Sequence, residues 1–268
     1  MVALAQTDWL ADLALIGEAA RRAGEVALSY FGQSPDVWFK NEGRSPVSAA
    51  DLAANEMLET MLRGARPGYG WLSEETDDDP ARLSHDTVFV VDPIDGTRAF
   101  IAGERTWCVS VAVVHEGRPV AAALYAPALS EEYLASTGGA VRKNGEPIEV
   151  AGRDGPRLRV ATPQDMLNTI DPMFREGLER VAHIPSLAYR IAMVADGRIH
   201  ATFVKRNSHD WDLAAADLIL ERAGGRLTDS AGSTLQYNRP EVRHEVLCAA
   251  AAPLLPSLLA QLAPASRG

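Results

Sequence analysis

The stretch Thr87-Val88-Phe89-Val90-Val91-Asp92-Pro93-Ile94-Asp95-Gly96-Thr97 constrains this chain more than any other. Its first five residues are β-branched or aromatic, with no polar alternation beyond Thr87. Such a run reads as a strand buried on both faces of a sheet. The pattern stops the strand at Asp92, where Pro93 bends the backbone and Gly96 frees it, and a short helix is expected from Thr97. Two carboxylates, Asp92 and Asp95, then stand at the rim of the sheet, where open α/β sheets bind ligands. Held that close, they stay ionised together only if a positive charge compensates them. Carboxylates with no histidine or cysteine beside them suit a hard cation such as Mg²⁺. A polar turn closing a strand uses the same residues, so the stretch alone leaves both readings open.

At 268 residues the chain can bury a substantial core, as one large domain or two intimate halves. Its formal net charge of -10 argues against a nucleic-acid polymer or an anionic membrane as main partner. A phosphorylated small molecule stays open, because a bound metal inverts the sign locally. Cys108 and Cys248 fit neither a zinc spacing nor a disulfide framework. Cys108 reads as a small buried hydrophobe, and a reducing cytoplasm is the simplest compartment. Met1 to Asp8 lack the basic and apolar regions of a signal peptide. No apolar run is long enough to span a bilayer.

Leu10, Leu13, Ile16, Ala20, Ala23 and Ala27 fall at helical spacing, so a helix is expected from Thr7, as its cap, to Tyr30. After an irregular stretch to Val47, a second helix is expected over Ser48–Arg63, ending at Gly64. Its opening, Ser48-Ala49-Ala50-Asp51, has the form of a capping box. A short strand follows at Tyr69–Ser73, and the acidic run Asp77-Asp78-Asp79 reads as a solvated loop. Trp107–Val114 and Val120–Tyr125 read as a hairpin, with a further strand at Glu132–Ala135. Asn144-Gly145 marks a turn before Ile148–Val150. Gly152 to Pro156 is the best boundary between two halves, 1–152 and 153–268. Beyond it the pattern predicts a strand at Leu158–Ala161 and helices at Met166–Val181 and Leu187–Asp196. A strand at Ile199–Val204 and a helix at Trp211–Ala223, stopped by Gly224-Gly225, follow. A strand at Val246–Ala249 and a helix at Leu254–Leu262 close the chain.

Four acidic groups stand where elements meet: Glu74, Asp92, Asp95 and Asp212. Alone, Glu74 is a surface charge, Asp212 a first-turn helix charge and Asp51 a cap. Only convergence of the four, which spacing cannot show, would make a metal site. There, bound water becomes a nucleophile and the leaving oxygen is stabilised. Thr97 could orient that water, and the backbone N–H groups of Gly96 and Thr97 could hold a phosphate. Other templates fail. The sequence has no Gly-x-Ser-x-Gly elbow, no Walker A loop and no Gly-x-Gly-x-x-Gly fingerprint, and its six histidines form no i, i+4 pair.

Three motifs, in order, resemble the inositol monophosphatase family of lithium-sensitive, magnesium-dependent phosphomonoesterases. They are Glu74-Glu75, then Asp92-Pro93-Ile94-Asp95-Gly96-Thr97, then Trp211-Asp212 with Ala214-Ala215 and the later Ala223-Gly224-Gly225. The likeness runs from about Asp8 to Leu262. It implies a layered α-β-α-β-α sandwich and a homodimer. It implies two or three Mg²⁺ ions on the carboxylates of Glu74, Asp92, Asp95 and Asp212 and on the backbone carbonyl of Ile94. Thr97, paired with Asp51, would position the attacking water, and Glu75 would support that network. Lys40 lies where the family places a basic residue near the metals. The N-terminal half would carry most ligands, and the C-terminal half Asp212 and the substrate pocket.

The substrate expectation turns on departures from the inositol branch. That branch commonly has a Glu seven residues before the Asp of the Trp-Asp motif; here the position is Lys205, followed by Arg206. The change favours a second anionic group over a neutral polyol, although a solvated basic pair reads the same way. Pro185-Ser186 keeps part of a polar cluster before the helix at Leu187, which makes Ser186 a pocket candidate. Trp71-Leu72-Ser73-Glu74-Glu75 and Thr97-Arg98-Ala99-Phe100-Ile101 look like bacterial members of the 3'(2'),5'-bisphosphate nucleotidase branch. The resemblance therefore points to adenosine 3',5'-bisphosphate. An inositol monophosphatase and a non-catalytic binding protein of the same fold are the alternatives.

Overall fold

The structure is a computed structural model that describes residues 9–33, 37–40, 45–153 and 155–262, with the backbone alone at 37–40, 45 and 46. In the first half the elements are α1 (Leu10–Tyr30), β1 (Val37–Lys40), β2 (Ser45–Ser48), α2 (Ala49–Ala65), β3 (Gly70–Ser73), β4 (Thr87–Asp95), α3 (Thr97–Ile101), β5 (Cys108–His115), β6 (Arg118–Ala126), β7 (Glu131–Ser136), β8 (Arg142–Lys143) and β9 (Glu146–Pro147). The second half continues with β10 (Leu158–Val160), α4 (Gln164–Thr169), α5 (Pro172–Glu176), β11 (Leu178–Arg180), α6 (Leu187–Ala195), β12 (Ala201–Val204), β13 (Ser208–His209), α7 (Asp210–Arg222), β14 (Gly225–Asp229), β15 (Arg243–His244), β16 (Leu247–Ala251) and α8 (Leu255–Leu259).

Two sheets organise these elements. Strands β3 to β9 form a seven-stranded sheet in sequence order, and β11-β10-β12-β16-β14 form a five-stranded one. The run Val88–Val91 explains the layering. Side chains alternate across a strand, so Phe89 and Val91 join one core with Ile16 and Leu58 of α1 and α2. Val88 and Val90 join another, with Ile191 of α6 and Leu218 of α7. The far side of the small sheet packs Phe203 and Cys248 against Leu255 and Leu258 of α8. The order is therefore helices, large sheet, helices, small sheet, helix: the α-β-α-β-α sandwich that the motifs led us to expect. Among the described residues, no helix is long and apolar enough to cross a membrane.

Several expectations need correction. Strand β4 does not stop at Asp92. It pairs Asp92 with Ser110 and Asp95 with Cys108, shifting register between them, so β4 has an irregularity that re-aims its carboxylates. Thr7 lies outside the described residues, and α1 begins after Trp9. Helix α2 runs past Gly64 to Ala65. The long helix expected over Met166–Val181 is instead α4, α5 and β11. Pro172 cannot continue a helix and pushes its predecessor into extended geometry, with ψ 131 at Asp171. Residues 148–150 are not a strand; β9 ends at Pro147. The glycine pair that stops α7 also opens β14, a strand the sequence reading missed.

Candidate active site

The site grows from the irregular end of β4. Asp92 turns its Oδ1 back to accept the N–H of Ile94 at 3.0 Å. Gly96 then takes φ +96, and a Cβ there would lie 3.0 Å from the Cβ of Ser186. Only glycine meets both conditions. Helix α3 follows at once, and its first residue, Thr97, has one hydroxyl proton facing two acceptors. These are Asp51 Oδ1 at 3.2 Å and the carbonyl of Ile94 at 3.1 Å.

Asp95 is held from the opposite side by the start of α6. It accepts Ser186 Oγ–H at 2.5 Å, the N–H of Ala188 at 2.6 Å and that of Leu187 at 3.2 Å. Ser186 is fully buried and also caps α6 by accepting the N–H of Tyr189 at 3.1 Å. The expectation that Ser186 faces a substrate is corrected here: its hydroxyl is spent on Asp95. Asp212 sits at the third position of α7 and accepts the backbone N–H of His209 at 2.6 Å, as a capping residue does. Capping and convergence are not alternatives at this position. One oxygen each of Asp92, Asp95 and Asp212 lie within 4.8 Å of one another.

The electrostatics follow from that crowding. Burial pushes Asp92 well above the usual carboxylate range, and the charges of Glu74, Asp95, Asp212 and Asp51 push it further. Burial and then Asp212 raise Asp95 to about 6, against the opposing pull of its three α6 donors. Asp51, buried at the start of α2, is pushed up to about 6 by burial, with Glu75 adding to it. Hydrogen bonds from Ser48, at 2.8 Å (N–H) and 2.6 Å (Oγ), work in the other direction. An all-oxygen donor set in which neighbouring charges hold Asp92 and Asp95 above the usual carboxylate range is the chemistry that a hard divalent cation relieves. The residues fit such an ion.

Glu74, Glu75 and Asp212 line one wall of a cavity of about 630 Å³. His209 and Trp211 line it too, stacked at 4.6 Å with planes 6° apart. The far rim is the strap Glu241-Val242-Arg243. Asp210, fully buried, pins that strap: its N–H reaches the carbonyl of Val242 at 3.0 Å, and its Oδ2 accepts the N–H of Asn238 at 2.8 Å. Its Oδ1 lies 2.7 Å from His244 Nε2. The sequence reading missed Asp210, His209 and Arg243. A second carboxylate two residues from Asp212 was the available signal for Asp210.

The remaining site residues divide. Glu75 donates its N–H to Ser73 Oγ at 3.3 Å and faces the cavity. Lys205 and Arg206 lie outside the cavity lining. Both are exposed, Lys205 paired with Asp165 at 2.6 Å and Arg206 near Glu245 at 3.9 Å. Lys40 ends β1, and its side chain lies outside the described residues.

Taken with its relatives, the carboxylate cluster at the end of a buried strand in a five-layered sandwich marks the chain as a phosphoric monoester hydrolase. The chain belongs to the inositol monophosphatase family, whose sequence model matches residues 11–267. It is 34% identical to a 3'-phosphoadenosine 5'-phosphate phosphatase of Mycobacterium leprae over 92% of both chains. It is 32% identical to a histidinol-phosphatase of Chlorobaculum parvum, over 82% of this chain and 86% of that one. An inositol-1-monophosphatase of Mesorhizobium japonicum is also 32% identical, over 80% and 84%. Among solved structures, the IMPase of Thermotoga maritima superposes with a TM-score of 0.84 at 23% identity, covering 94% of this chain and 96% of that one. The extragenic suppressor protein suhB of Bartonella henselae gives 0.83 at 26%, covering 95% and 99%.

Proposed function

We propose that this chain is a Mg²⁺-dependent phosphomonoesterase that removes the 3'-phosphate of adenosine 3',5'-bisphosphate, leaving AMP and phosphate. The observation that carries the chemistry is the meeting of Asp92, Asp95 and Asp212 within 4.8 Å, with Glu74 acting on the same corner. Glu74, Asp92, Asp95, Asp212 and the carbonyl of Ile94 would hold two or three Mg²⁺ ions. Bound there, Mg²⁺ supplies an acidified water and charge stabilisation for the leaving oxygen. The chain's own residues do the rest. Thr97 gives its proton to Asp51 or to the Ile94 carbonyl, so its oxygen lone pairs face the attacking water. Asp51, with its pKa near 6, stays ionised at neutral pH and keeps Thr97 in that orientation. Glu75 adds a further acceptor beside the cavity.

Two features support the nucleotide over the polyol. The Mycobacterium leprae relative, which carries that activity in its name, aligns over 92% of this chain. The cavity also offers a stacked His209–Trp211 wall beside Arg243, suited to a planar base and a second phosphate. Lys205 and Arg206 no longer carry this argument, since both pair elsewhere. The competing reading is an inositol monophosphatase, favoured by the Mesorhizobium japonicum relative.

The test is phosphate release from adenosine 3',5'-bisphosphate and from inositol 1-phosphate, at equal concentration with Mg²⁺. A preference for the inositol ester reverses the substrate, and no release from any small ester leaves a binding protein. Asp95→Asn should abolish turnover while the protein keeps its circular dichroism. The same reading carries a homodimer in the cytoplasm, checked by light scattering and cell fractionation.

A further inference from the structure

Behind the acidic corner, in the helical layer between the two sheets, α6 carries a cation that the mechanism leaves unused. Arg190 is only 7% exposed. Its Nη1 donates to the carbonyl of Ile184 at 3.2 Å, and its Nε, fully buried, has no partner. Among the described residues no carboxylate makes an ion pair with it. A guanidinium does not shed its proton inside a protein. Burying one without a paired carboxylate is unfavourable unless a nearby field compensates it. The compensating field comes from Asp95. The backbone N–H of Arg190 donates to the carbonyl of Ser186 at 3.2 Å, one turn along α6 from the hydroxyl that holds Asp95. Helical side chains lean back toward that end, where the Asp95 charge acts on Arg190 against the effect of burial.

The geometry of α6 makes this more than coincidence. The same helix presents Ser186 Oγ and the N–H groups of Leu187 and Ala188 to Asp95. Its positive end and its one buried cation therefore oppose the same carboxylate. Around that carboxylate stand Asp92 and Asp212, with Glu74 and Asp51 acting on Asp92. Lys205 and Arg206, the cations singled out from the sequence, pair outside the cavity.

We propose that Arg190 is the internal counter-charge of the acidic corner. It is a positioning residue that steadies Asp95 in the metal-free protein and holds down the affinity of the corner for a divalent cation. The proposal rests on reading the Asp92–Asp95–Asp212 corner as a cation site. Removing the charge has two opposite consequences. The metal-free corner becomes more repulsive, so the protein without metal loses stability. An added cation meets a more negative site, so it binds more tightly. A purely packing role would lower stability equally with and without the ion.

The experiment uses Arg190→Met and Arg190→Gln, which remove the charge, and Arg190→Lys, which keeps it. Mg²⁺ is titrated calorimetrically into the substrate-free protein, and melting is followed in EDTA and in excess Mg²⁺. The expected result is binding about tenfold tighter in the Met and Gln variants, a lower melting point in EDTA, and a larger rise on adding Mg²⁺. Arg190→Lys should stay within about threefold of the parent affinity. If Arg190→Met does not fold, Arg190→Gln carries the comparison. Parent-like affinity in Met and Gln, or a shift shared equally by Lys, overturns the proposal. Absence of Mg²⁺ binding in the parent protein removes the cation site itself, a distinguishable failure.

Discussion

Replacing Ser186 with alanine tests whether the floor of the acidic corner is built by α6. The hydroxyl donates to Asp95 Oδ2 at 2.5 Å and accepts from the N–H of Tyr189 at 3.1 Å, with Cys108 Sγ a weaker contact at 3.6 Å. The first is a hydrogen bond to a charged group, worth about 1.5–3 kcal/mol. The second is a helix cap, worth about 1 kcal/mol. Their loss should destabilise the metal-free protein by about 2.5–4 kcal/mol, read from denaturant midpoints at pH 7.5 in EDTA. Ser186 also pulls the pKa of Asp95 down, so the variant should raise it further and need more Mg²⁺ for half-maximal turnover. Because Ser186 is fully buried, KM at saturating Mg²⁺ should move little. The threonine variant keeps the hydroxyl and should recover part of the loss. A stability loss below about 1 kcal/mol, or a rise in KM with an unchanged Mg²⁺ requirement, would refute the argument. The second outcome would return Ser186 to the substrate pocket.

Two further outcomes follow from the site. Asp51, Asp95 and Asp217 are each pushed by burial from 3.8 up to about 6, so the folded state holds their protons more tightly than the unfolded chain. Stability of the metal-free protein should therefore fall as pH rises from about 4 through 6, by about 3 kcal/mol per group at most. The depressed carboxylates Glu131 and Asp196 act in the opposite sense, at and below their ordinary values of 4.5 and 3.8, toward the acid end of that window. Denaturation in EDTA at pH 5 and pH 7 checks the sign, and greater stability at pH 7 would contradict it. Arg243→Ala should raise KM for adenosine 3',5'-bisphosphate about tenfold while leaving the inositol 1-phosphate reaction unchanged. Equal effects on both esters would mean that Arg243 does not select for a second phosphate.

The corner of β4 was legible because three properties of one run agree: an apolar strand, two carboxylates at its end and a Gly-Thr step. The register shift between Asp92 and Asp95 was not. No residue type announces it; it follows from how β5 pairs across. The expected helix over Met166–Val181 failed because helical spacing outweighed Pro172 in the reading. Ser186 was found for the wrong reason. Its place before α6 was visible, but the direction of its hydroxyl depends on where β4 ends, some ninety positions earlier. Lys205 and Arg206 misled in the converse way. Charge at a suggestive spacing says nothing of its distance from the site: both side chains are exposed, Lys205 against Asp165 and Arg206 near Glu245, and neither lines the cavity.

Arg190 and Asp210 show what a local pattern could have offered. Arg190 is a charged residue in the buried, apolar run of α6, and Asp210 is a fully buried carboxylate at the head of α7, between half-buried His209 and Trp211. A charge placed where its neighbours are apolar must find compensation, and the compensating group is seldom nearby in sequence. For Asp210 it is His244, for Arg190 the field of Asp95. Asp210 joins elements far apart in sequence and touches Val242 on the cavity rim. The strap that carries Arg243 stays on the rim because Asp210 is tied to the carbonyl of Val242 within it and, on either side, to the N–H of Asn238 and to His244. Asp210→Asn keeps the shape but weakens that tie, and so should loosen selection among leaving groups while sparing the carboxylate corner. The carboxylates proposed as metal ligands stand near the ends of elements, as Asp210 does, whereas Arg190 sits inside α6. The acidic motifs of this family can thus be read from sequence, whereas the buried charges that support the corner and the cavity rim cannot.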